Sequence, residues 1–220
     1  MKREIITTAD GSTTIHLPDW NESYHSKHGA IQEAYHVFIK NGLDKITRKE
    51  IRILEIGFGT GLNAFITLLE GIKQQKQITY YGVEAFPVPV EEIHQLNYLK
   101  ELGEENLKPL FQKLHDLPWE MEEEVTPAFS LNKIKDDFRN VQFDNKFELI
   151  YYDAFGPRVQ PELWSQQLFA TMYIALKKGG VLTTYCAKGD VRRAMQEVGF
   201  TVNRVEGPPG KREMLVALKN

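Results

Sequence analysis

Four clusters in this chain combine residue types and spacings that can do chemistry. The first is Glu55-Ile56-Gly57-Phe58-Gly59-Thr60-Gly61-Leu62-Asn63. Alternating glycines after an apolar run allow a tight turn and a close approach of a ligand to the main chain. The second is Glu84, which closes the next apolar run 27 residues beyond Gly57. A carboxylate there can accept hydrogen bonds from both hydroxyls of a ribose. The third is the acid pair Asp136-Asp137 after the run 129–134, two carboxylates that could accept hydrogen bonds from a ligand or simply make a solvated turn. The fourth is Asp153-Ala154-Phe155-Gly156-Pro157, which closes the run 147–152. An aspartate so placed can accept an N–H from an amine and act as the base that takes up its proton. It can also simply cap the turn before the proline.

These side chains need a frame to bring them together. The runs 51–56, 80–83, 129–134, 147–152 and 180–185 read as strands, and 62–72, 90–102, 107–114, 163–176 and 191–198 as helices. Such alternation predicts an α/β fold of the Rossmann-like kind, with a doubly wound, mostly parallel sheet that binds ligands at the carboxyl ends of its strands. Two last strands, 200–205 and 213–218, flank Gly207-Pro208-Pro209-Gly210 and are too close for a helical crossover. They predict an antiparallel hairpin at the sheet edge. Residues 1–45 read as an extension with a hairpin at Asp10-Gly11 and a helix carrying Ile31, Ala34, Tyr35 and Phe38, stopped at Asn41-Gly42. The expectation is one domain over 1–220, with its core at 50–220 and an acidic helical insertion at about 101–124.

Composition narrows the class. With 220 residues, 42% hydrophobic and 26% charged, the chain can bury a full α/β core. No apolar run approaches the roughly 20 residues of a membrane span, and the first residues lack the apolar segment of a signal peptide. No membrane partner and a cytoplasmic setting are expected. Cys186 is the single cysteine, which excludes an intrachain disulfide and a cysteine-built zinc site. His25-x-x-His28 lacks a third ligand at supporting spacing, so no metal is expected. The net charge of −3 argues against a broad grip on a polyanion. Yet residues 101–124 hold eight acids and two bases, so that segment carries −6 and the remainder +3. Residues 188–219 hold seven bases against four acids, which leaves room for a small basic face.

The glycine loop also discriminates among cofactors. A dinucleotide site needs G-x-G-x-x-G, and Leu62 stands where its third glycine would be. No Lys-Ser/Thr follows, so a phosphate-binding P-loop fails too. G-x-G-x-G with an acid two residues upstream is instead similar to the loop of class I methyltransferases that use S-adenosylmethionine. In that reading Gly57, Gly59, Thr60, Gly61 and Asn63 form the cofactor loop and Glu55 orients the methionine ammonium. Glu84 takes the ribose, Asp137 the adenine amino group, and Asp153 faces the transferable methyl.

Together these residues resemble the methyltransferase module of the MnmC family, over most of the chain. The likeness is most specific at Tyr24-His25-Ser26 with Gly29-Ala30, Glu33 and His36-Val37-Phe38, and at the glycine loop. It is equally specific at Asp153-Ala154-Phe155-Gly156-Pro157 with Pro161 and Trp164, and at Val191-Arg192-Arg193 and Lys211-Arg212-Glu213. The resemblance implies S-adenosylmethionine-dependent methylation of the 5-aminomethyl nitrogen of wobble uridine in tRNA, with Asp153 as the catalytic residue near the reacting centre. It implies substrate contacts at Tyr24, His25, Glu33, Phe155, Pro157, Trp164, Arg192, Arg193, Lys211 and Arg212. The anticodon arm is the expected partner, with a separate enzyme supplying the aminomethyl group. The chain ends at Asn220 without the flavin-dependent oxidase of two-domain members, so no flavin is expected. Asp136 stands where the family carries a glycine before the third acid, which weakens the adenine assignment. The alternatives are methylation of a small amine or protein side chain, or a non-catalytic cofactor-binding module.

Overall fold

The computed structural model describes residues 2–220. At the N-terminus β1 (Glu4–Thr7), β2 (Thr13–Leu17) and β3 (Glu22–Ser23) form a small antiparallel sheet. The expected hairpin at Asp10-Gly11 is its first turn, and a short third strand is added. Asp10 fixes the turn, its Oδ1 accepting from Thr8 Oγ1 at 2.7 Å and from the Ser12 N–H at 3.0 Å. α1 (Ala30–Ala34) then widens into a π-helical segment, Tyr35–Lys40. Asn41 closes it by donating from Nδ2 to the His36 carbonyl at 2.8 Å.

The main sheet alternates with helices as the periodicity predicts. β4 (Glu50–Ile56) leads through α2 (Leu62–Lys73) to β5 (Gln77–Val83). Three short helices follow: α3 (Val90–Ile93), α4 (Tyr98–Leu102) and α5 (Lys108–Asp116). Next come β6 (Glu122–Thr126), β7 (Phe129–Ile134), β8 (Phe147–Tyr152) and α6 (Gln166–Ala175). The chain closes with β9 (Leu176–Thr184), α7 (Gly189–Glu197), β10 (Thr201–Glu206) and β11 (Glu213–Leu218). The eight strands lie in the order β10-β11-β9-β8-β4-β5-β7-β6. Pairings from β9 through β7 are parallel, whereas β11 meets β9, β10 meets β11 and β6 meets β7 antiparallel. The sheet is therefore doubly wound with the expected antiparallel C-terminal hairpin at one edge. One apolar cluster, including Phe38, Phe65 and Leu114, fills one face, and a second, including Trp164, Phe169 and Met195, fills the other.

Three expectations need correction. The helix read at 90–102 breaks between α3 and α4. Asn97 causes this: its Oδ1 accepts from the Thr13 N–H at 2.7 Å and its Nδ2 donates to the Gly11 carbonyl at 2.9 Å, so it anchors the small sheet. The acidic stretch 101–124 is helical only in part, because Glu122–Thr126 is the outer strand β6. Val125 turns into the core while Glu122 and Glu124 face water, and such charges suit an unpaired sheet edge. Finally, the helix read at 163–176 starts at Gln166. Ser165 caps it, and Leu176 already belongs to β9.

Candidate active site

β4 is flanked by β5 on one side and β8 on the other, so the chain leaves β4 and β8 in opposite directions and opens a crevice at their carboxyl ends. The loop after β4 turns sharply there. The N–H groups of Gly57 and Phe58 both donate to the Val83 carbonyl at 3.0 Å, and the Asp153 N–H donates to the Ile56 carbonyl at 2.9 Å. Gly57 has φ +95, and a Cβ on it would stand 2.6 Å from the Asp153 carbonyl oxygen. Only glycine lets the cofactor-loop backbone lie against the β8 loop, which is what brings the first and fourth sequence clusters together.

Glu84 is buried at the tip of β5. Its Oε2 accepts the Gly59 N–H at 3.0 Å and its Oε1 the Phe86 N–H at 2.9 Å. Burial raises its pKa above the ordinary carboxylate range, and those backbone bonds draw it back. Each oxygen keeps lone pairs for a further donor such as a sugar hydroxyl. Deeper in the crevice, the Asn63 amide bridges two acids: Nδ2 donates to Glu55 Oε1 at 2.8 Å and to Asp153 Oδ2 at 2.9 Å. Glu55 is fully buried, and desolvation holds it well above its ordinary range. Asp153 is pushed up to about 7, first by burial and then by the Glu33 carboxylate, against the pull of Asn63 and Lys211. An acid poised near neutrality can exchange a proton at physiological pH.

A cavity of about 770 Å³ joins these parts. Gly57, Gly59, Thr60, Asn63, Glu84 and Asp137 line its cofactor-loop end, and Tyr24, His25, Glu33, Asp153, Phe155 and Lys211 line the other. Glu55 and Gly61 lie beneath the loop rather than on the wall. Asp137 is already engaged, its carboxylate accepting from the Arg139 N–H, Nε and Nη2 at 2.9, 2.8 and 2.6 Å. His25 reaches the cavity but is bound mainly inward. Its Nδ1 sits 3.2 Å from Thr14 Oγ1 and 3.4 Å from the Tyr98 hydroxyl, which donates to Thr60 Oγ1 at 3.1 Å. Burial pushes the imidazole down to about 4, so it is neutral at pH 7.

Five of the predicted substrate residues do not line this cavity. Pro157 shapes the loop after Phe155 without facing the void, and Arg192, Arg193 and Arg212 stand outside it. Arg193 is paired with Asp190. Trp164 is 5% exposed, packs on Tyr152 and Phe169, and donates from Nε1 to the Phe155 carbonyl at 2.8 Å. It supports the loop from below. The tryptophan on the cavity wall is Trp20, edge-on to Phe155 at 5.6 Å, with Tyr24 edge-on to the same ring at 5.1 Å. Of the three tryptophans that could stack on a base, Trp20, Trp119 and Trp164, the sequence favours Trp164 because it follows the acid loop; Trp20 lies 135 residues from Phe155, and only the docking of the small sheet joins them. Arg158 fastens that dock, donating from Nη2 to the carbonyls of Trp20 and Asn21 at 3.0 and 3.1 Å.

A doubly wound sheet with a three-glycine loop after β4, an acid at the tip of β5 and a second acid after β8 defines a class I S-adenosylmethionine-dependent methyltransferase. The chain belongs to that family: a family profile described as S-adenosyl-L-methionine-dependent methyltransferase matches residues 94–220. Within it, this chain is a homologue of the MnmC methyltransferase domain. It is 30% identical, over 97% of its length, to the tRNA 5-methylaminomethyl-2-thiouridine biosynthesis bifunctional protein MnmC of Cupriavidus metallidurans. The MnmC protein of Delftia acidovorans is likewise 30% identical over 99% of the chain. The chain spans about a third of the length of these relatives, 33% and 35%. The crystal structure of MNMC2 from Aquifex aeolicus superposes with a TM-score of 0.76 at 28% identity, covering 99% of this chain and 70% of that one. Spermidine synthase from Thermotoga maritima shares the fold at a TM-score of 0.53 and 14% identity, covering 99% of this chain and 71% of that one.

The residues present fit the family's cofactor. Asn63, on the cavity wall, has a buried Oδ1 without a partner among the described residues, the kind of atom an ammonium group or a water beside it would satisfy, and Glu55 lies behind it, bound to its Nδ2. Gly57, Gly59 and Gly61 all have positive φ, and a Cβ on Gly59 would stand 3.1 Å from Tyr24 Cδ1, narrowing the cradle. S-adenosylmethionine, when bound, supplies an electrophilic methyl group on a sulfonium. Of the residues present, Glu84 would hold its ribose, and the loop backbone and Asn63 its amino-acid end.

Proposed function

We propose that this protein methylates the 5-aminomethyl nitrogen of wobble uridine in tRNA. The observation that carries the reading is the continuity of the cavity. The cofactor cradle opens directly onto a chamber holding Asp153 and walled by Phe155, Tyr24 and Trp20. Those rings offer faces and edges to a flat base. Asp153 is positioned to accept an N–H from an amine at the junction and to take up the proton it releases, and Asn63 fixes the orientation of the carboxylate. Positioning the amine against the methyl supplies most of the acceleration. The printed names of the MnmC relatives concern 5-methylaminomethyl-2-thiouridine in tRNA, which is the product such a transfer would give.

The charge distribution supports an RNA acceptor with a small footprint. Acidic β6 forms one edge of the main sheet, and the hairpin carrying Arg204 and Arg212 forms the opposite edge. An anticodon arm approaching from the hairpin side avoids the acids, and its binding should be salt-sensitive, falling as salt rises with a shallow slope because few phosphates are neutralised. A separate enzyme would supply the aminomethyl group. The test presents the protein with methyl-labelled S-adenosylmethionine and tRNA bearing 5-aminomethyluridine, beside the same tRNA without it. Label confined to the modified tRNA is the expected result. Label absent there, or found equally on small amines, overturns the proposal.

A further inference from the structure

Lys211 belongs to the turn between β10 and β11, yet its ammonium lies inside the chamber. Nζ is 2.7 Å from Glu33 Oε1 and 3.9 Å from the centroid of the Tyr185 ring. Both partners are themselves held. Glu33 accepts the Ser26 N–H on Oε2 at 2.8 Å, and the Tyr185 hydroxyl donates to the Ala154 carbonyl at 2.8 Å, next to Asp153. The Glu33 side chain is 9% exposed and that of Lys211 33%. The turn is fixed too, with Lys211 N–H on the Pro208 carbonyl at 2.9 Å and Gly207 N–H on the Arg212 carbonyl at 3.2 Å. Such an arrangement is unlike a mobile phosphate-seeking surface lysine, and two sequence-distant segments converge to build it.

Asp153 sees Glu33 from α1, Lys211 from the hairpin turn, Glu55 from β4, and Tyr185 from the segment after β9. Among these Lys211 brings the positive charge. A cation held beside an amine seat raises the energy of a second cation there, so it disfavours the protonated form of the amine. It also stabilises the ionised form of Asp153, whereas Glu33 does the opposite.

We infer that Lys211, clamped between Glu33 and Tyr185, is a positioning residue that tunes the site to accept an amine in its neutral form. The inference rests on the amine acceptor proposed above. It assigns Lys211 a role in the reacting centre rather than on tRNA phosphates, and makes Glu33 its opposing counterweight.

Two measurements test it. The first is the pH dependence of kcat, with saturating cofactor and tRNA bearing 5-aminomethyluridine, for the unaltered protein, Lys211→Met, Lys211→Arg and Glu33→Gln. The second is a carbon-13 carboxyl titration of Asp153 in the ligand-free proteins, assigned with Asp153→Asn. A charge a few ångströms away in a partly shielded site shifts a titration by about one pH unit. Lys211→Met should move the acid limb, and the Asp153 titration, to higher pH by about that much, leaving the rate roughly tenfold lower below the limb and near normal above it. Glu33→Gln should move both to lower pH, and Lys211→Arg should restore the original profile. Losses that do not vary with pH, or shifts of the same sign in Lys211→Met and Glu33→Gln, overturn the inference while leaving the amine acceptor standing. No methylation by the unaltered protein overturns both.

Discussion

Asp153→Asn should make the ligand-free protein inactive and more stable at once. The Asp153 carboxyl is moved from its ordinary 3.8 to about 7, so the folded chain holds this group at a disadvantage relative to the unfolded chain. Fully shielded, that rise would correspond to about 4 kcal/mol of folding free energy at pH 8. The side chain is half-buried and reached by water through the cavity, so screening reduces the effect to about 2 kcal/mol. The sign follows from a raised carboxylate. The folded state loses nothing below about pH 3, where the acid is protonated in both states, and loses progressively more up to about pH 7. Asparagine keeps an oxygen to accept from Asn63 Nδ2, now 2.9 Å from Asp153 Oδ2, and removes the charge. Urea denaturation of both proteins at about pH 3, 5.5 and 8 should give curves that coincide at the lowest pH and separate by about 2 kcal/mol at the highest, the variant being the more stable. Methyl transfer by the variant should fall about 10²- to 10⁴-fold. A variant less stable than the wild type at pH 8, or a difference that is the same at all three values, would refute the electrostatic reasoning.

Other substitutions separate support from contact. Gly57→Ala should abolish cofactor binding by calorimetry and lower stability by about 1–3 kcal/mol, because φ is +95 and the added carbon meets the Asp153 carbonyl at 2.6 Å. Trp164→Ala should cost about 3–5 kcal/mol in denaturant titrations. Trp20→Ala should leave the melting temperature nearly unchanged and raise KM for the RNA, and the reverse pattern would contradict the assignment of the cavity wall. His25→Ala cuts the chain of contacts from Thr14 through Tyr98 to Thr60. It should weaken binding of S-adenosylmethionine by roughly tenfold, about the worth of one buried hydrogen bond, with a smaller effect on KM for the RNA.

Apart from β6, expected as part of an acidic helical stretch, and the short β3, the strands and the residues that close them could be read without a structure. β8 is buried along its whole length, as its apolar run suggests, and Asp153 follows it directly. The helix breaks were less visible. Asn97 looks like an ordinary helical residue until Thr13 and Gly11 arrive to occupy its amide. The tryptophans were misjudged for a related reason: a tryptophan close in sequence to the acid loop can pack under it, and one far away can fold over it. Likewise the basic residues form one compositional group, yet Lys211 points inward while Arg193 pairs with Asp190 on the surface.

By itself the sequence determined the α/β class, the glycine loop and the two acids that end β5 and β8. These depend on periodicity and on glycine's freedom at positive φ, both of which act locally along the chain. The tertiary structure decided the charge state and the company of those acids. Asp153 is raised by burial and by Glu33, steadied by Asn63 and opposed by Lys211, groups separated from it by 120, 90 and 58 residues. Electrostatic energy depends on distance and shielding in space, and spacing along the chain carries neither.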